Sequence, residues 1–301
     1  MNAIAIINAI DWNSATFEEK QVFGHQLRKA GEEMGFLAVA NAPLTKELQE
    51  RALKQCDLFF TAVKEHQLAS SLPYIAEKNR GFESVGSESL DVSSFDYKET
   101  FMMGFDEMAW PETTLLPEFK STMDEYMDAC QQTLHLLLKG FAVAFGLEEN
   151  FFSSKHQEAA QSLRALHYPP SDPNANQFAV SPHTDYGTLT LLTQDELGGL
   201  SVMNPHTEEW YDSPAGTGMI GVNVGDLFGR WSGDVLARDF HRVNSVVTDH
   251  SRYSLAFFGH PDFDTPIETF TGSEAKEHYA AISSGDYLFE RLAETREVAE
   301  V

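Results

Sequence analysis

The 301-residue sequence predicts an α+β fold, an antiparallel double-sheet barrel or jelly roll with N-terminal and C-terminal helices packed outside it. Three observations predict it. Before Phe152, apolar residues recur every three or four positions over long segments. After Phe152 the texture changes to short apolar runs divided by Pro and Gly turns. No linker separates the two regions. Residues 1–152 are therefore expected to form a helical region that contributes to the core sheet, and residues 153–301 the jelly-roll core and C-terminal helix of one structural unit.

Taken in order, Thr16-Phe17-Glu18-Glu19 reads as a capping box, followed by Phe23, Leu27, Ala30 and Met34 on one helical face up to Gly35. Residues 36–40 are a compact apolar strand, broken by Asn41-Ala42-Pro43. A second helix begins near Thr45 and carries Leu48, Ala52, Cys56 and Phe59 on one side. Residues 62–116 are the least regular, holding Asn79-Arg80-Gly81-Phe82, a Ser/Glu/Gly-rich loop, and a strand or loop at 97–101. A long helix from about Pro117 presents Phe119, Met123, Met127, Cys130, Leu134, Leu137 and Phe141 as a packing face. His135 on that helix reads as structural. Strands are expected at 163–168, 189–193, 200–203, 219–224, 241–247 and 253–258, with Pro169-Pro170, Gly198-Gly199 and Gly225-Asp226 as turns. Residues 273–300 are helical by composition.

An apolar content of 42% is ample for a core, and a formal charge of −25 would repel nucleic acid and anionic membrane surfaces. The N-terminus has no basic region and too short an apolar run for a signal peptide, and no later run is long enough for a bilayer span. The expectation is a cytoplasmic protein with a small-molecule substrate and neither nucleic acid nor membrane as partner. Cys56 and Cys130 fall within helical apolar patterns and read as buried free thiols.

The informative stretch is Ser181-Pro182-His183-Thr184-Asp185-Tyr186-Gly187-Thr188. In a strand, residues i and i+2 share a side, so His183 and Asp185 can grip one ion. His241, in Phe240-His241-Arg242-Val243, is the best third ligand. Two imidazoles and a carboxylate on one face of a metal are the arrangement of non-haem iron oxygenases. Arg252 and Ser254 share a strand face that Ala256 and Phe258 continue, and an arginine fork with a hydroxyl beside it holds a carboxylate well. Tyr168 can donate to the same carboxylate, and Arg164, on the same expected face, can add charge. Asn223 is polar in an apolar strand, which suits orienting a ligand or a water. Among the 11 histidines, His260-Pro261-Asp262 also spells H-x-D, but its proline suits a turn and no third ligand follows. His167 has the opposite parity to Tyr168 and is expected to be satisfied by neighbours.

At these residues the sequence resembles the isopenicillin N synthase-like branch of the iron(II)/2-oxoglutarate-dependent dioxygenases. The likeness runs through Gly35-Phe36-Leu37-Ala38-Val39, Asn79-Arg80-Gly81-Phe82, Lys98-Glu99-Thr100-Phe101 and Leu166-His167-Tyr168-Pro169-Pro170. It continues through Pro182-His183-Thr184-Asp185-Tyr186-Gly187, Gly199-Leu200, Val222-Asn223-Val224-Gly225-Asp226, His241-Arg242-Val243 and Arg252-Tyr253-Ser254. The resemblance implies a double-stranded β-helix core, Fe(II) on His183, Asp185 and His241, and O₂ and 2-oxoglutarate as cosubstrates. It places the distal carboxylate of 2-oxoglutarate on Arg252 and Ser254 near Tyr168; the reading of the strand faces adds Arg164 and Asn223 as candidate contacts. Related halogenases carry a small residue in place of Asp185, so the carboxylate favours hydroxylation, desaturation or ring formation. The chain departs from the pattern at Asn41-Ala42-Pro43, where many members have Asn-His-Gly.

Phe82, Phe101, Met103 and Phe258, with the C-terminal helix, are the candidate substrate walls. The preferred reading is oxidation of a C–H bond of a small molecule in natural-product or specialised metabolism. An oxidase that uses no 2-oxoglutarate, an ethylene-forming enzyme, a zinc hydrolase and a non-catalytic metal sensor are the competing readings. Substrate and oligomeric state are not legible in the sequence.

Overall fold

The computed structural model describes residues 4–75, 78–87, 96–104, 110–111, 114–157, 160–170, 178–245 and 248–299. Strand β1 (Ala5–Asn8) leads to helix α1 (Phe17–Glu33), which starts at the expected capping box. The Thr16 hydroxyl accepts from the Glu19 amide at 3.3 Å, and the Glu19 carboxylate accepts from the Thr16 amide at 2.7 Å. Strand β2 (Phe36–Ala40) and helix α2 (Lys46–His66) follow, then the short strands β3 (Gly81–Glu83) and β4 (Glu99–Met103) and the long helix α3 (Phe119–Ala144). The second half supplies β5 (Ser162–Tyr168), β6 (Phe178–His183), β7 (Leu189–Gln194), β8 (Leu200–Met203), β9 (Trp210–Asp212) and β10 (Met219–Val224). It closes with α4 (Asp226–Trp231), β11 (Phe240–Asn244), β12 (Arg252–Gly259), β13 (Pro266–Ile267), β14 (Ile282–Ser283) and α5 (Ser284–Ala299).

The architecture is mixed helix and sheet. One sheet has 8 strands in the order β1-β2-β10-β7-β12-β5-β4-β3, and a second has 4 in the order β6-β11-β8-β9. Pairing is antiparallel except between β1 and β2. The first half of the chain thus supplies four strands of the large sheet. Strand periodicity divides that sheet into two faces. Leu163, Ala165, Leu189, Leu191, Leu255 and Phe257 are buried with Leu27, Phe59, Leu134 and Phe141 of the helices in the main core. The alternate residues Leu166, Tyr168 and Ala256 face Ala179 and Val180 of the small sheet, and Phe36 meets Leu200 and Val202. The cleft lies between the two sheets.

Two expectations at the level of elements are corrected. The strand expected at 241–247 ends at Asn244, and its last two positions, Val246 and Val247, lie outside the described residues. The helix expected over 273–300 begins only at Ser284, and Glu300 lies outside the described residues. The preceding stretch is tied down by tertiary contacts: the amides of Lys276 and Glu277 donate to Gly233 O at 2.8 and 3.1 Å, and Arg230 donates to Ala280 O at 2.7 Å. Those bonds override a helical composition. Strand β1 was not anticipated because four residues are too few for a period-2 pattern to register. Cys56 and Cys130 are both buried and free, and no described helix is long and apolar enough to cross a membrane.

Candidate active site

Neighbouring strands β6 and β11 pair antiparallel with His183 directly opposite His241, so both imidazoles emerge on the inner face, with ring centroids 4.2 Å apart. Asp185 reaches them differently from the sequence expectation. It lies in the turn after β6 and is held by that turn, its carbonyl accepting from the Asp226 amide at 2.7 Å and its carboxylate from Asn223 Nδ2 at 3.2 Å. His183 Nε2 and His241 Nε2 stand 3.9 and 4.0 Å from Asp185 Oδ1. One ligand atom from each residue falls within 4.8 Å of the others.

Charge sharpens this cluster. Burial and the neighbouring His241 hold His183 well below the ordinary imidazole range, which leaves it neutral. Burial would lower His241 too, but the carboxylates of Asp185 and Asp239 outweigh it and push that imidazole up. A pair of imidazoles and a pair of carboxylates packed this tightly invites a divalent cation that would neutralise both acids.

At the far end of β12, Arg252 pairs in register with Tyr168 of β5, and Ser254 follows on the same face. Arg252 is 4% exposed, its guanidinium lies 4.1 Å over the Tyr168 ring, and it donates to Gly198 O. Tyr168 and Ser254 hydroxyls are 3.4 Å apart. Burial weakens the hold of Arg252 on its proton, against the pull of Tyr168 and Asp195. A buried cation with two hydroxyls beside it suits a carboxylate. Arg252, Ser254, Tyr168 and the triad line one cavity of ≈ 220 Å³.

Comparison with known proteins decides the family. Residues 159–261 match the model of the 2OG-Fe(II) oxygenase superfamily, and residues 7–119 match the N-terminal model of non-haem dioxygenases in morphine synthesis. The 2-oxoglutarate-Fe(II) type oxidoreductase ppzD of Metarhizium rileyi is 31% identical over 87% of this chain and 82% of its own. The proline hydroxylase buaE of Petromyces alliaceus is 31% identical over 92% and 94%. The crystal structure of a full-length Neurospora crassa protein in complex with alpha-KG and thymine superimposes with a TM-score of 0.87 at 30% identity, covering 97% of each chain. The chain belongs to the 2-oxoglutarate- and Fe(II)-dependent oxygenases.

It is therefore an oxidoreductase whose cofactor is Fe(II) and whose cosubstrates are 2-oxoglutarate and O₂. These relatives carry the broad family name, and the narrower isopenicillin N synthase-like label fits only loosely. The donor set suits the metal: two imidazole nitrogens and a carboxylate oxygen, with Asn223 bonded to the carboxylate.

In this oxygenase the expected 2-oxoglutarate contacts divide between two places. Arg252, Ser254 and Tyr168 stand together, but Arg164 does not join them; it meets Glu83 at 3.3 Å. Parity put Arg164 on the correct face, yet four residues of strand separate it from Tyr168 by about 13 Å. Asn223 likewise sits at the triad, 3.2 Å from Asp185 and 3.3 Å from His241 Nδ1, in the cross-sheet row of Thr190 and Phe258.

Of the expected substrate walls, Phe258 lines the cavity, and α5 contributes Leu288 and Leu292. Phe82, Phe101 and Met103 do not. They point to the opposite face of the large sheet and are buried in the main core, Phe101 at 4.4 Å from the Phe59 ring. A one-residue change of phase exchanges the faces, and the wall residues from these strands are Glu83 and Met102. His135 and His167 are structural as expected, His167 bridging Glu99 and Ser251 at 2.8 and 2.9 Å.

Three site residues went unread in the sequence. Gly199, taken as turn punctuation, has φ +108 and lies against Arg252 so closely that a Cβ would collide with the guanidinium. Asp239 faces His241 at 3.0 Å; an acid two positions before the histidine was the available signal. His260 lines the cavity at 4% exposure, its Nδ1 without a partner among the described residues; its H-x-D spelling points only to a metal ligand.

Proposed function

We propose that His183, Asp185 and His241 hold the Fe(II), and that Arg252, Ser254 and Tyr168 receive the distal carboxylate of 2-oxoglutarate. The observation that carries this reading is a buried guanidinium in the same cavity as a two-histidine, one-carboxylate cluster. Bound iron supplies the oxidative decarboxylation of 2-oxoglutarate and the oxidation of a substrate C–H bond. The chain's own residues orient and exclude. Asn223 steadies the Asp185 carboxylate, the Ser181 carbonyl accepts from His183 Nδ1 at 2.8 Å, and Leu166, Val180 and Leu200 keep water from the cleft between the sheets.

Substrate enters at the side of the cavity walled by Met102, Phe258, Leu288 and Leu292, where Arg164 and Glu83 supply a polar edge. That mixture favours a small, polar molecule with no net charge, in line with a relative named proline hydroxylase and another solved with thymine. Hydroxylation in specialised metabolism is the reading these relatives support. The two facing sheets are read as a double-stranded β-helix built by residues 1–152 and 153–301 as one structural unit. Two buried free thiols support a cytoplasmic location.

The test is anaerobic titration of the Fe(II) protein with 2-oxoglutarate, then a metabolite screen for succinate release. A visible charge-transfer band that is lost in His183→Ala, and succinate formed one for one with oxidised substrate, are expected. A band that persists in the triad variants would overturn the assignment of the ligands.

A further inference from the structure

The two histidines of the triad are supported by unlike groups. His183 Nδ1 donates to a neutral backbone carbonyl, that of Ser181, at 2.8 Å. His241 Nδ1 faces a carboxylate, Asp239 Oδ2, at 3.0 Å. The approach is bent, so the pairing is foremost electrostatic.

Asp239 has the features of a group placed for its charge. It is fully buried, its amide is fixed to Val224 O at 3.1 Å, and among the described residues neither carboxylate oxygen has a hydrogen-bond partner of good geometry. Buried carboxylates of this kind are costly unless a cation offsets them, and asparagine would orient an imidazole without that cost. A competing group is already present: Asn223 Nδ2, an amide donor 3.3 Å from the same nitrogen, would favour the tautomer that leaves Nδ1 bare. Asp239 is nearer and charged, and a charged acceptor binds an N–H about twice as strongly as a neutral one.

Taking the triad as the metal site, we propose that Asp239 is a positioning residue that keeps the proton of His241 on Nδ1, turns Nε2 to the metal and makes His241 the stronger donor of the two imidazoles. The second carboxylate also brings the protein charge around a divalent ion to balance, with Asp185 supplying the other half.

The experiment uses the full chain with Co(II) as the probe, reading affinity by chelator competition and the exchangeable imidazole N–H signals by paramagnetic proton NMR. Asp239→Asn is expected to weaken Co(II) about 10- to 100-fold and to move the His241 N–H signal while that of His183 stays. Asp239→Glu should recover part of the affinity. A folded Asp239→Asn with unchanged affinity and an unmoved His241 signal overturns the proposal, as does a signal that moves in Asn223→Ala alone. Should Asp239→Asn not fold, the wild-type protein loaded with Zn(II) decides: the Nδ1 proton of His241 is expected further downfield than that of His183, and equal shifts overturn the proposal. Retained Co(II) affinity in His241→Ala would instead overturn the metal-site reading, and this proposal with it.

Discussion

Gly199→Ala tests how the arginine at the end of the cleft is held. Gly199 adopts φ +108, and an added Cβ would take the space of the Arg252 guanidinium. Forcing alanine into that backbone region costs about 1–3 kcal/mol. Relief comes only if the guanidinium moves, giving up Gly198 O and its place over Tyr168. A hydrogen bond to a charged group is worth about 1.5–3 kcal/mol, and each 1.4 kcal/mol is about tenfold in affinity. The variant should therefore bind 2-oxoglutarate roughly 10- to 100-fold more weakly. Anaerobic titration of the Fe(II) protein, followed by its charge-transfer band, measures this, with Co(II) affinity without 2-oxoglutarate as the internal control. Undiminished 2-oxoglutarate affinity would refute the argument. An equal loss of Co(II) affinity would refute its claim to be local.

Other outcomes follow from the same geometry. Arg252→Lys replaces a planar fork by a point charge, and 2-oxoglutarate affinity is expected to fall about tenfold in the same titration while Co(II) binding holds. Phe101→Ala should destabilise the fold by about 3–5 kcal/mol in urea, because Phe101 is fully buried among Phe59 and Phe119, whereas Phe258→Ala should cost less and shift substrate preference in the succinate screen. Burial holds His156 at about 3, so its stabilising contribution is complete above the unfolded value of 6.5 and is lost as pH falls below it. His156→Gln should accordingly flatten the acid side of the apoprotein's stability curve by about 1.4 kcal/mol per pH unit, read by urea titration between pH 6 and 4. Chelation of the metal should lower the melting temperature, since an ion at 100 times its Kd adds about 2.7 kcal/mol; identical melting curves with and without Co(II) would count against the triad as a site.

The sequence by itself determined the family-bearing residues and most of the elements that carry them. Period-2 spacing placed Arg252, Ser254, Ala256 and Phe258 on one inner face, and the structure keeps all four there. The capping box fixed the start of α1, and residue chemistry separated His183, Asp185 and His241 from the other histidines and acids of the chain. Only the tertiary structure decided where along a strand, and in which phase, a side chain acts. Arg164 has the parity of Tyr168 but stands with Glu83, and Phe101 lost its expected wall to Met102 by one residue of phase. Parity is a local property of the backbone. Register, by contrast, is set by partners distant in the chain, as when β5 aligns Tyr168 with Arg252 and Arg164 with Ala256. Asp239 and Gly199 are the sharpest cases. An acid before a histidine and a glycine in a turn are ordinary in sequence, and they become site residues only because folding brings a buried imidazole and a buried guanidinium against them.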